Sequence, residues 1–316
     1  MLQAIQLGMN SSDIPGSLRL YSEAFGFRNA GAQGLWGPMI GVQGLDPSSR
    51  AIIWWMVGAQ NFFQLEFFSH SHPAQRPIRP DWRASDHGWV RFGCATADFE
   101  RAVAVLTQHR VKLSATLRDS NGLRRSAFRD PYVGTFVEIM EDGPDIAGHS
   151  GPLAKDGPCV VYATSSVSDL SSAEVFYRDV LGFEIAPIDL LHAPEHEKLW
   201  DLASARRDGF LVKAGMVYLE ILHYEQPAGR PRPADYRSSD QGLVNVALGS
   251  RCVSEIAQAF ERMQNAGYVP PYKVDTGTIL AGYITDPERE LEFMGLPHEI
   301  DRFVGFEATQ PFATGQ

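Results

Sequence analysis

The chain has 316 residues, 44% of them hydrophobic, and a formal net charge of −10. That length holds two domains of ordinary size, and the apolar share suits a globular core, so disorder is excluded as the default state. The acidity excludes a basic nucleic-acid groove or a face for anionic membranes, and no run of about 18 apolar residues exists to cross a bilayer.

The first predicted unit opens with the strand AIQLGM. A helix follows from Asp13 in DIPGSLRLYSEAFGF, where Asp is a good N-cap and apolar residues recur at helical spacing. β-rich sequence then runs to LEFF, which contains Glu66. The second unit repeats the order with WVRFGC, a helix from Asp98 in DFERAVAVLTQHRV, and a last strand VEIM at Glu138. The Gly/Pro-rich stretch from Glu141 to Pro158 reads as a linker. The third unit has VVYATS, a helix from Asp169 and LEIL at Glu220. The fourth has LVNVAL, a helix from Cys252 and LEFM at Glu292. Four units that each read strand, helix, several strands predict an α+β fold.

The halves are duplicates. Leu65 to Val90 aligns with Leu219 to Val244 without a gap, and 12 of the 26 columns are identical. The domains expected from this are 1–143 and 158–304, each a pair of units, with 144–157 as linker and 305–316 as tail. The three cysteines, Cys94, Cys159 and Cys252, form no CxxC spacing, and a reducing cytoplasm fits them. The opening MLQAIQLGMNSSD lacks the pattern of a signal peptide.

Phe176 to Glu184, FYRDVLGFE, is close to the FYrdvLGF signature of glyoxalase, bleomycin-resistance and extradiol-dioxygenase proteins, and LYSEAFGF is a weaker copy. DPYVGTFVEI and DPERELEFM look like the DPdGn.iEl strand of the same proteins. The chain thus resembles the vicinal oxygen chelate superfamily over nearly its whole length. The resemblance implies four βαβββ modules in two pairs, each pair a curved, mostly antiparallel sheet around a cavity, with helices outside. It also implies where a site's residues stand: seven residues before each helix cap, and at the last-strand Glu. In the first half these are Gln6, Arg91, Glu66 and Glu138. In the second half they are Tyr162, Asn245, Glu220 and Glu292. The His, His and Glu of the dioxygenases fall on Tyr162, Asn245 and Glu292.

A guanidinium offers donors only, so Arg91 cannot ligate a cation. Between Glu66 and Glu138 it reads as a fixed positive charge in a degenerate first-half cavity. In the second half, Asn245 is a poor ligand, Tyr162 binds iron only as phenolate, and two carboxylates hold Mg²⁺ weakly. No tightly bound metal or other cofactor is expected; Fe, Mn, Zn or Mg is the alternative. Two carboxylates on one cavity need not both ionise, and a neutral acid beside a charged base suits proton transfer next to a carbonyl. Tyr162 and Asn245 would then donate to a substrate oxygen. The competing reading makes Glu220 and Glu292 structural carboxylates satisfied by Tyr162 and Asn245.

His192 and His196, in LLHAPEHEKLW, have i, i+4 spacing broken by Pro194. With Trp200 they read as a substrate-contacting excursion, or as a surface loop. His70 and His72 share a strand face with Glu66 but read as solvated loop histidines. The twice-kept D-[WY]-R-x-S-D (Asp81 to Asp86, Asp235 to Asp240) is expected to maintain the fold, with Arg83 and Arg237 pairing to its carboxylates.

The function expected is an enzyme, isomerase or lyase in type, acting on a small oxygenated metabolite, aromatic ones included. Two rivals stay open: a metal-dependent extradiol-type ring-cleavage dioxygenase, and a non-catalytic, drug-sequestering binding protein. The only partner expected is a small molecule, with no nucleic acid and no membrane, and association into a homodimer is compatible with the resemblance.

Overall fold

The computed structural model describes residues 1–143, 154–268, 272–286 and 288–311. The first unit comprises β1 (Gln3–Asn10), α1 (Ile14–Ala24), β2 (Arg28–Trp36), β3 (Arg50–Val57) and β4 (Gln64–His72). The second has β5 (Gly88–Thr96), α2 (Phe99–Gln108), β6 (Leu117–Arg118), β7 (Arg124–Arg129) and β8 (Phe136–Glu141). The third has β9 (Cys159–Ser166), α3 (Leu170–Val175) running into a π turn, β10 (Ile185–Pro187), β11 (Arg206–Ala214) and β12 (Val217–Gln226). The fourth has β13 (Gly242–Ser250), α4 (Val253–Asn265), β14 (Tyr272–Asp275), β15 (Leu280–Ile284) and β16 (Leu291–Gly295).

The predicted caps form where an aspartate supplies them. Asp13, Asp98 and Asp169 accept from the backbone N–H of Gly16, Arg101 and Ser172 at 3.0, 2.9 and 3.0 Å. Each bond satisfies one of a helix's orphan donors. Cys252 caps α4 without a side-chain bond. One continuous apolar core joins the helices to the sheets, through Leu18 and Tyr21 of α1, Leu106 of α2, Phe176, and Ile256 and Met263 of α4. No helix among the described residues is long and apolar enough to cross a membrane.

Among the described residues, sixteen strands form two eight-stranded sheets, but the units do not pair in chain order. One sheet runs β14-β15-β16-β13-β1-β4-β3-β2 and so joins the first unit to the fourth. The other runs β10-β11-β12-β9-β5-β8-β7-β6 and joins the second to the third. The joints are the antiparallel pairs β1–β13 and β5–β9. The expectation that each half of the chain encloses its own cavity is therefore corrected. Duplication shows that units are alike, but the alternating pattern of an opening strand does not say which other opening strand it meets.

Of the expected linker, 144–153 lie outside the described residues. The expected tail is bound to the body as far as it is described: Thr309 N donates to Asn29 O at 2.8 Å, and Asn29 Nδ2 to Gln310 O at 2.7 Å.

Candidate active site

Crosswise pairing regroups the eight candidate residues. Gln6, Glu66, Asn245 and Glu292 gather in the sheet of the first and fourth units, and Arg91, Glu138, Tyr162 and Glu220 in the other. Each joint places a small residue opposite a larger one. A side chain at Gly8 would fall on the Asn245 amide, and one at Gly93 on the Tyr162 ring.

Gln6, Glu66 and Glu292 of the first group line a cavity of about 200 Å³, with the buried Asn245 beside Glu292. Glu66 stands on β4, 6% exposed. Its Oε1 accepts from the Trp55 indole at 2.8 Å, and its Oε2 from Gln6 Nε2 at 2.5 Å. Gln6 is held in that orientation because its own oxygen accepts from Gln64 Nε2 at 2.7 Å. Across the cavity, Glu292 accepts a long bond of 3.4 Å from Asn245 Nδ2, while the buried Asn245 Oδ1 has no partner. Ile53, Phe68 and Leu35 from the first unit, Met294 from the fourth, and Phe306 supply apolar wall. No arginine, lysine or histidine lines this cavity among the described residues. Burial and then the Glu292 charge push the Glu66 carboxyl well above the usual carboxylate range. Burial also raises Glu292 to about 7, against a small opposing pull from the Asn245 bond.

The second group has no such space, because the excursion between β10 and β11 fills it. His192 lies fully buried between the two carboxylates, with Nδ1 2.6 Å from Glu220 and Nε2 3.0 Å from Glu138. Arg125 Nε meets Glu138 at 2.7 Å, and Tyr162 donates to it at 2.5 Å. Arg91 donates to Glu220 at 3.0 Å and to Tyr224 at 2.8 Å, with Trp200 packed on its guanidinium. Glu197 takes Arg207 and Tyr224. Burial alone would raise Glu138, but Arg125 and His192 hold it at about 2. His192 and Arg91 likewise keep Glu220 well below its ordinary value against the pull of burial.

Several expectations change with this geometry. Arg91 does act as a fixed positive charge, but its partners are Glu220 and Glu197, not Glu66. His192, His196 and Trp200 are interior side chains that occupy the second cavity, not a surface loop. Pro194 does end regular helix, since Pro194–Trp200 is a 3-10 segment. Glu220 and Tyr162 belong to the filled cavity, away from Glu292 and Asn245. Tyr162, Asn245 and Glu292 therefore do not assemble into one ligand set. His70 is buried and stacks on Phe68, 5.8 Å between ring centres, while His72 is exposed as expected. Sequence reading missed Trp55 and Gln64. Trp55 was accessible in principle, since it sits directly opposite Glu66 in the β3–β4 pair. Nothing local announced that Arg125, Glu197 and Arg207 would surround His192.

A metal ion, the alternative implied by the resemblance, would meet competition at the open cavity. Both Glu66 oxygens already accept N–H bonds, and the Gln6 oxygen is turned to Gln64. Glu292 and the unpartnered Asn245 Oδ1 would be the freer donors. Among the described residues no group of three or more His, Cys, Asp or Glu is placed to hold an ion.

No family model matches the chain, and no curated protein does. Solved structures do. Glyoxalase I from Zea mays is similar with a TM-score of 0.60 at 13% identity, over 96% of this chain and 94% of that one. A Bacillus subtilis protein provisionally described as a dioxygenase is similar with a TM-score of 0.62 at 13% identity, over 98% and 91%. With four strand-helix-strand units closing two curved sheets, and these likenesses spanning almost every residue, the chain has the fold of the vicinal oxygen chelate superfamily.

Proposed function

We propose that the chain is an enzyme that moves a proton beside the carbonyl of a small metabolite, in the cavity between the first and fourth units. The observation that carries this reading is the pair Glu66 and Glu292: two carboxylates on one open cavity, with no cationic side chain lining it among the described residues. Such a pair holds one proton between them near neutral pH. Glu66, fixed by Trp55 and Gln6, is the neutral acid. Glu292, more loosely held, is the base.

In this reaction Glu292 takes the proton from the carbon next to the carbonyl. The C–H electrons form the enolate double bond, and the carbonyl pair moves to oxygen. The Asn245 amide, bound only weakly to Glu292, turns its N–H to that oxygen. Return of the proton to a different face or carbon gives an isomer, and loss of a neighbouring leaving group gives elimination. The cavity, smaller than the usual ~300–1,000 Å³, suits a small substrate. The other cavity takes no part, because His192 and Trp200 occupy it.

Exchange in D₂O tests this directly. Hydroxyacetone and a panel of small α-hydroxy ketones are followed by proton NMR for loss of the α-hydrogens. The native protein is expected to catalyse exchange on at least one of them. Glu292→Gln should slow it by about 10²–10⁴-fold while ligand affinity is kept. Unchanged exchange in Glu292→Gln contradicts the reading. Binding without exchange in either protein supports the sequestering alternative. One equivalent of iron, manganese or zinc retained without added metal supports the dioxygenase alternative.

A further inference from the structure

Beyond β16, a 3-10 segment (His298–Phe303) leads into residues that cross from the fourth unit back over the first. Val304 and Phe306 line the open cavity. Phe306 packs on Phe62 with the rings tilted by 52° and their centres 4.8 Å apart, and Arg251 sits over Phe62 at 3.5 Å. Arg251 is itself tied to Asp301 by two bonds, one of 2.7 Å, and Asp301 O accepts from Phe306 N at 3.0 Å. At its far end the segment is bonded to Asn29 on β2, whose Oδ1 also receives the Trp54 indole at 2.8 Å. The chain is thus fastened on both sides of the cavity it covers.

Between Val304 and Phe306 stands Gly305, with φ +79°. A side chain there would overlap the Trp55 indole and lie 2.6 Å from Gln64 Oε1. These are the groups that fix Glu66 and Gln6. Backbone at 305 therefore packs directly on the support of the carboxylate pair, and only glycine allows both that approach and that φ.

We infer that residues 304–310 form a specificity-determining strap: Phe306 sets how large a ligand the cavity admits, and Gly305 is a positioning residue for Glu66. The strap rests on the reading of this cavity as the substrate site, but its test reads binding and so stands apart from catalysis. Truncating Phe306 removes part of the cavity wall and opens room for a longer ligand. A side chain at 305 pushes Trp55 and Gln64, and with them Glu66, without touching the ligand.

Acetophenone and 2-acetylnaphthalene serve as probes, with binding to the full chain followed by calorimetry. In Phe306→Ala the affinity ratio of 2-acetylnaphthalene to acetophenone should rise about tenfold or more over native, and Phe306→Leu should give a smaller rise. Should Phe306→Ala fold poorly, Phe306→Leu alone carries the test. Gly305→Ala should leave the ratio within about twofold, shift the Trp55 indole N–H resonance, and lower kcat for α-hydrogen exchange more than it raises KM. An unchanged ratio in both Phe306 variants, or no binding of either probe to the native protein, overturns the strap. An unmoved Trp55 resonance in Gly305→Ala overturns the positioning role. If Glu292→Gln keeps full exchange activity while the ratio still responds to Phe306, the acid–base reading fails and the strap stands.

Discussion

Arg76 donates to both carboxylate oxygens of Asp240, at 2.8 and 2.5 Å, across the boundary between the two halves of the chain. Arg230 returns the contact to Asp86, at 3.0 and 2.6 Å. The twice-kept D-[WY]-R-x-S-D does maintain the fold, though less through Arg83 and Arg237 alone than through this exchange. Arg83 reaches Asp86 at 2.9 Å, whereas Arg237 stays 3.6 Å from Asp240. Asp86→Ala strips partners from Arg83 and Arg230, and these arginines are about one-third exposed and can turn to water. A loss of about 2 kcal/mol in urea unfolding is expected, less than the ~3–5 of a fully buried pair. A change below about 0.5 kcal/mol would show that the crossed arginines are incidental.

His192 compensates two buried carboxylates at once. His192→Ala leaves Glu138 and Glu220 facing each other, with Arg125 and Arg91 still in place. The expected cost is about 3 kcal/mol or more of stability, measured by denaturant unfolding. Because the second cavity is filled by structure, probe binding to the stabilised fraction should be unchanged. If His192→Ala abolishes binding while the protein remains folded, the second cavity is the substrate site.

The fold could be read from the sequence because its signals are local. Asp13, Asp98 and Asp169 cap their own helices, and the last-strand glutamates lie at the predicted places in register. Gln6, Arg91, Tyr162 and Asn245 all stand on the joint-forming strands, as expected from their places before the helix caps. The partnership of the strands was not legible, because it depends on contacts between residues distant in the chain, 237 positions for Gly8 with Asn245 and 69 for Gly93 with Tyr162. Nor was the burial of His192 legible. A loop with Pro194 and several charges reads as solvated until Arg91, Arg125 and Arg207 arrive from other strands to neutralise it.

Raised and depressed buried carboxylates pull stability in opposite directions with pH. Glu66, Glu292 and Glu290 have raised pKa values, the last two about 7, so the folded state holds more protons than the unfolded one. Their contribution is complete below about 4.5 and, for Glu292 and Glu290, is lost as pH climbs through about 7. Glu138 and Glu220 are depressed, so theirs is present above about 4.5 and lost as pH falls toward about 2. Thermal unfolding should therefore show greatest stability near pH 5. Glu292→Gln should flatten the decline between about pH 5 and 8 and raise stability at pH 8 by on the order of 1–3 kcal/mol. A native protein more stable at pH 8 than at pH 5 would contradict this.

Carboxyl carbon NMR on protein labelled at glutamate offers the sharpest view of the proton shared by Glu66 and Glu292. Two resonances titrating near pH 7 are expected, one that disappears in Glu292→Gln and one that disappears in Glu290→Gln, both unmoved in His192→Ala. Uniform titration of every glutamate below pH 5, or a near-neutral resonance that survives Glu292→Gln and Glu290→Gln alike, would contradict this.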